Sequence, residues 1–148
     1  MSDDPFDLQR FRAAQKQGGA YTTALAELHA GRKRSHWIWF VFPQLDGLGS
    51  SPMARRYAIR SLDEARAYLA DNVLGPRLHA CCQALLEPDA GADAEAVLGG
   101  IDALKLRSSM TLFGLAAPGD PTFTQVLERY YGGQTDAATE RLLAATGS

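Results

Sequence analysis

Three residues in the stretch IDALKLRSSMTLF (101–113) have types and spacing suited to chemistry: Asp102, Lys105 and Ser109, at i, i+3 and i+7. On a helix they line up along one border of the apolar face, where a carboxylate, an amine and a hydroxyl can position water or a sugar hydroxyl and move its proton. The same spacing also serves helix electrostatics alone, with Asp102 in the first turn and Lys105 as its partner. A second candidate is the stretch RKRSHWIWFVFPQLDGLGSSP (32–52) with the arginines that follow it. Ser51-Pro52 starts a short helix after the flexible Gly47-Leu48-Gly49-Ser50 approach, and Arg55 and Arg56 stand beside it. Guanidinium groups there suit a phosphate or carboxylate; the plainer alternative is a turn with solvated arginines. Trp37 and Trp39 are two residues apart and cannot share a helical face. At most one of them stacks on a ligand while the other packs in the core. His36, beside Trp37, is either a proton donor or a satisfied side chain.

Charge distribution links these residues. The whole chain of 148 residues carries −2, yet residues 31–60 hold Arg32, Lys33, Arg34, Arg55, Arg56 and Arg60 against Asp46 alone. That segment is +5 and the remainder −7, an asymmetry expected of an anion-binding face and equally open to a solvated surface. The net charge argues against a nucleic-acid coat.

Other chemistries lack their signatures. His29, His36 and His79 are widely spaced, with no HExxH and no paired CxxC, so no metal or cofactor is expected. There is no GxSxG elbow, P-loop or GxGxxG. Cys81 and Cys82 are adjacent, too close along a helix for an unstrained bridge, and read as buried reduced thiols of a cytoplasmic protein. The acidic MSDDPFDLQRF start is unlike a signal peptide, and no apolar run approaches the roughly 20 residues of a membrane helix.

The elements that must position these residues read as short capped helices. Asp4-Pro5 opens a helix to about Gln17, stopped by Gly18-Gly19; another runs from about Thr22 to Ala30 with Gly31 as terminator. Ser61 and Glu64 form a capping box for a helix ending near Asp71. Leu74, Leu78, Cys81 and Leu85 make one buried stripe on a helix ending before Pro88. Asp93 caps a short turn to Leu98, broken by Gly99-Gly100. Ala103, Leu106, Met110 and Phe113 mark a helix from Asp102 to about Leu115. Asp120-Pro121 opens another, closed by Gly132-Gly133, and a last helix runs from Thr135 or Asp136 to Thr146. HWIWFVF favours strand by propensity, but it lacks alternation and a partner strand, so helix is expected, capped by Ser35 and ended by Pro43. The fold class is all-α: one domain over residues 1–148, with about seven to eight short helices.

The strings KRSHWIWFVFPQLDGLG, YAI, DALKLRSSMTLF and YYGGQTDAATERLL resemble the bacterial "domain of unknown function 1810" family over nearly the whole chain. The resemblance implies a mainly helical domain and brings no established activity. SSPMARR (50–56) is also similar to a short stretch of YbiA-like N-glycosidases, too short to transfer catalytic residues. Taken together, the residues point to binding, with hydrolysis as a further step, of a small anionic nucleotide-like or phosphorylated ligand. Arg55 and Arg56 would hold phosphate, Trp37 or Trp39 would stack, and Asp102, Lys105 and Ser109 would face the sugar. The alternative is a non-enzymatic interaction module using the basic 31–60 face.

Overall fold

The computed structural model describes residues 4–87 and 93–146. Among these the chain forms ten α-helical segments and no named strand, an all-α fold. The count exceeds seven to eight because three segments, α3 (Ile38–Val41), α4 (Pro52–Arg56) and α7 (Ala94–Leu98), are single turns of five residues or fewer.

Helix α1 (Gln9–Lys16) begins later than Asp4-Pro5 suggested. Asp4 does cap, but its carboxylate accepts from the amides of Leu8 and Gln9 at 2.7 and 2.8 Å. Asp7 between them has φ 52°, a left-handed value that a continuous helix cannot contain. Gly18 and Gly19, at φ 60° and 69°, turn the chain into α2 (Ala20–His29), which Gly31 terminates at φ 76°. The HWIWFVF stretch is helical, as α3, but Ser35 does not cap it: its hydroxyl donates to Glu27 at 2.6 Å instead. The long loop after α3 is closed by α4, capped by Ser51, and by an isolated parallel bridge between Leu45 and Ile59, which no sequence pattern announced.

Ser61 opens α5 (Leu62–Ala70) as expected, accepting from the Glu64 amide at 3.0 Å. The Glu64 side chain does not return to Ser61; it accepts from the Arg60 amide at 3.2 Å and faces Arg10. α6 (Leu74–Leu86) buries its full stripe of Leu74, Leu78, Cys81 and Leu85. Pro88, expected to end it, lies outside the described residues. Asp93 caps α7, Asp120 accepts from the Thr122 amide ahead of α9 (Thr122–Tyr131), and Asp136 caps the start of α10 (Ala137–Thr146).

α8 (Gly100–Ala116) is the central element, packed against α3, α5, α7, α9 and α10. The expected apolar positions Ala103, Leu106, Met110 and Phe113 are all buried, and in the second half burial widens beyond one stripe. From Ser108 to Phe113 every residue is buried, because neighbouring helices enclose that half. Its Phe113 ring joins an aromatic chain through the core, 5.3 Å from Tyr68 and 5.8 Å from Phe123, with Phe11 5.1 Å beyond Tyr68.

Helices α5 and α6 meet at Gly75, where a Cβ would stand 2.1 Å from the Leu69 carbonyl oxygen. Backbone cannot yield as a side chain does, so Gly75→Ala is expected to cost about 3 kcal/mol, lowering the melting temperature by roughly 10 °C. A thermal melt within about 2 °C of wild type would show that α6 shifts freely.

His79 ties α6 to the turn before α9. Its Nδ1 lies 2.9 Å from the Gly75 carbonyl and its Nε2 2.5 Å from the Asp120 carboxylate. Two acceptors favour the doubly protonated ring. Burial opposes that charge, but the bonds to Asp120 and Gly75 outweigh it and raise the His79 pKa above 6.5. Asp120 is likewise opposed by burial but lowered below 3.8 by His79 and Thr122. The stabilisation from charged His79 is therefore complete below about pH 6.5 and is lost as pH rises through the raised folded value. The stabilisation from the Asp120 carboxylate is present above pH 3.8 and is lost as pH falls through the lowered value. The difference in melting temperature between wild type and His79→Gln should be largest between those limits and shrink in alkaline buffer. A difference independent of pH would refute the charged pair.

Candidate functional site

The N-terminal turn, α4 and the start of α5 enclose a cavity of about 630 Å³ lined by four arginines: Arg10, Arg55, Arg56 and Arg60. Two of these are the expected anion ligands. Ser51 starts α4 so that Arg55 and Arg56 fall in its last turn, and the Ser61 cap places Arg60 just ahead of α5. Arg55, Arg56 and Arg60 are exposed and form no ion pair among the described residues; Arg56 packs 5.6 Å from the Tyr57 ring.

Arg10 behaves differently. Its five N–H donors are all engaged: Nε to the Arg56 carbonyl, Nη1 to those of Phe6 and Asp7, Nη2 to Ala58 and to the Glu64 carboxylate at 2.8 Å. Its guanidinium therefore contributes charge and fixes three chain segments as the wall, but offers no donor to a ligand. Glu64 is 2% exposed and takes the Arg60 amide as well. Asp7 and Glu64 are the acidic members of the lining, so the cavity is net cationic. Phe6 supplies an aromatic wall, and the Ser61 hydroxyl, which accepts the Glu64 amide, also lines the cavity.

Asp102 and Lys105 lie elsewhere. None of Asp102, Lys105, Ser109, Trp37 or Trp39 lines the arginine cavity. The Asp102 carboxylate is shared by two lysines, Lys33 at 2.8 Å and Lys105 at 3.7 Å. Lys33 also stands 5.1 Å from the Trp37 ring centre, and Lys105 5.0 Å from that of Trp39. So the polar stripe and the tryptophans do come together, through a lysine that had counted only as one of a cationic run. Ser109 is fully buried and its hydroxyl has no partner among the described residues; the same holds for the Trp39 indole nitrogen.

Trp37 is 1% exposed, its indole donating to Glu27 at 2.9 Å. Trp39 is half-buried and packed against the core, so Trp37 is the one of the two sealed inside. Glu27 is a hub missed by sequence reasoning, accepting also from the Arg34 and Ser35 amides and the Ser35 hydroxyl. Burial opposes its charge, yet these bonds prevail and hold its pKa down at about 2. His36 is exposed and makes no hydrogen bond or ion pair among the described residues. Burial pushes the Cys81 thiol up to about 12 and Cys82 higher than usual as well, which leaves both poor nucleophiles.

The residues that sequence reasoning missed divide by range. Arg10 and Glu64 are 54 positions apart, and nothing local pairs them. Arg60 carried a signal, since it belongs to the +5 segment and precedes a clear helix cap.

The comparisons with known proteins agree on kinship. A family model described as "Protein of unknown function (DUF1810)" matches residues 5–143. The crystal structure of the conserved hypothetical protein Rv1873 from Mycobacterium tuberculosis is 53% identical, with a TM-score of 0.90, covering 95% of this chain and 99% of that one. No curated protein matches the chain. The resemblance carried by SHWIWFVFPQ and DALKLRSSMTLF is therefore one of descent, and the chain belongs to the DUF1810 family.

Proposed function

We propose that the protein binds a small anion, the phosphate of a nucleotide-like or other phosphorylated ligand, in the arginine-lined cavity. One observation carries this reading: Arg55, Arg56 and Arg60 converge on a single cavity without acidic partners of their own, while Arg10 spends every donor holding the wall. Unpaired guanidiniums at one concavity repel each other, a cost that a bound phosphate reverses through charge-assisted bonds. The volume lies in the range of small-molecule sites, and Phe6, rather than either tryptophan, offers a stacking surface there. The reading is one of binding, since Asp102, Lys105 and Ser109 line no part of this cavity. Two buried reduced thiols suit a cytoplasmic setting.

The test is a thermal-shift titration with ATP, ADP-ribose and inorganic pyrophosphate, repeated with an Arg55→Ala/Arg60→Ala double variant. A ligand at about 100 times its Kd should stabilise the fold by roughly 2.7 kcal/mol, several degrees in melting temperature. The variant should keep its unliganded melt, because both side chains are exposed, and lose the response. An unchanged response in the variant, or none across the panel, would end the proposal. A second reading draws on the basic 31–60 face as a whole, which also includes the exposed Arg32 and Arg34. An interaction module would bind an acidic protein with steep salt dependence and remain indifferent to small phosphates.

A further inference from the structure

A groove of about 360 Å³ lies between α7, the start of α8 and the end of α9, and shares no lining residue with the arginine cavity. Its walls are aromatic and apolar, and its rim is acidic. Tyr130 and Tyr131 form one side, each fixed by its hydroxyl, which donates to the carbonyls of Leu85 and Ala103 respectively. With both hydroxyl protons engaged, the tyrosines present mainly ring surface, and the Arg129 guanidinium, outside the lining, stands 5.5 Å from the centre of the Tyr130 ring. Leu104 lines the groove as well, at 64% exposure, and Ile101, one turn earlier on the same helix face, is 73% exposed. Exposed apolar side chains scattered singly need no explanation. Here two of the four exposed large hydrophobics among the described residues stand one helical turn apart, Leu104 in the groove lining and Ile101 just outside it.

The charges there point to one kind of partner. Asp93 and Glu95 line the groove and form no ion pair among the described residues; one Asp93 oxygen is occupied by the Ala96 amide, and Glu95 is exposed. The single basic residue of the lining, Arg107, turns its Nε and Nη2 to the carbonyls of Gln134 and Thr135, at 3.2 and 2.6 Å. The groove is thus net acidic beside an uncovered apolar ridge, which complements apolar side chains flanked by cations. We infer that this groove docks a partner-protein segment of that composition, with leucine-like side chains on Ile101 and Leu104 and lysine or arginine on Asp93 and Glu95. The inference stands apart from the anion site and needs none of its residues.

The probe is a fluorescein-labelled synthetic peptide with leucines at helical i, i+3 and i+4 spacing and lysines elsewhere, beside a twin in which every lysine is glutamate. Fluorescence anisotropy should give saturable binding of the lysine peptide alone. Leu104→Ser and Glu95→Lys should each weaken it at least about ten-fold, as expected when an anchor or a facing charge is lost. Both positions are exposed, so the variants should melt like wild type. Amide shifts in a 15N-labelled sample should cluster at α7, the first turns of α8 and the end of α9. Absent binding, equal binding of the glutamate twin, indifference to both variants or shifts centred elsewhere would each overturn the inference. So would a concentration-dependent dimer abolished by Leu104→Ser, which would assign the groove to a second copy of this chain.

Discussion

Arg10→Ala should lower the melting temperature by roughly 10 °C, a loss of about 3–5 kcal/mol. The size follows from what the side chain leaves behind. Glu64 is 2% exposed, and without Arg10 its carboxylate keeps the Arg60 amide and no cation among the described residues. Removing one partner of a buried pair is far costlier than the pair is stabilising, because the remaining charge stays desolvated. The carbonyls of Phe6, Asp7, Arg56 and Ala58 lose their donor in the same step. Arg10→Lys should recover little, since a compact ammonium with three donors cannot span five acceptors spread over three segments. Arg10→Leu combined with Glu64→Leu should recover the part owed to the stranded carboxylate, but not the part owed to the carbonyls. A melt of Arg10→Ala within about 2 °C of wild type would sink this account. The same variant bears on the anion site, because Arg10 shapes the wall that presents Arg55, Arg56 and Arg60.

Trp37→Ala should cost about 4 kcal/mol, whereas Trp39→Phe should fall within about 1 kcal/mol of wild type. Trp37 is 1% exposed, packs 6.2 Å from the Phe42 ring and donates to a Glu27 carboxylate that also orders the chain from Arg34 to Ser35. Truncation opens a large cavity and removes one of four donors from that carboxylate. Trp39 has the opposite balance. Its indole N–H is buried without a partner among the described residues, so phenylalanine removes an unmet donor while keeping an aromatic surface for Lys105. Urea unfolding followed by far-UV circular dichroism gives both numbers without depending on tryptophan emission. Equal costs at the two positions would contradict the assignment of Trp37 as the core tryptophan.

The helices themselves were legible in the residues because their punctuation is local. Ser51, Ser61, Asp93 and Asp136 each accept an amide three residues on, and Gly31 and Gly132 take left-handed φ values at helix ends. Such bonds form within one turn, so residue type and spacing suffice to announce them. The same is true of the α6 stripe and of the cationic 31–60 segment. Where a local rule failed, a distant group had won. Glu64 left the capping box for Arg10, and Ser35 left its helix for Glu27. Tertiary structure alone decided that the arginines and the Asp102 stripe occupy different places. It also brought Lys33 to the stripe and left an apolar ridge uncovered beside Asp93 and Glu95. The reason is physical: a periodic pattern specifies which face of a helix is buried, but which face meets it is settled by packing every helix at once, and no short spacing in the chain records that choice.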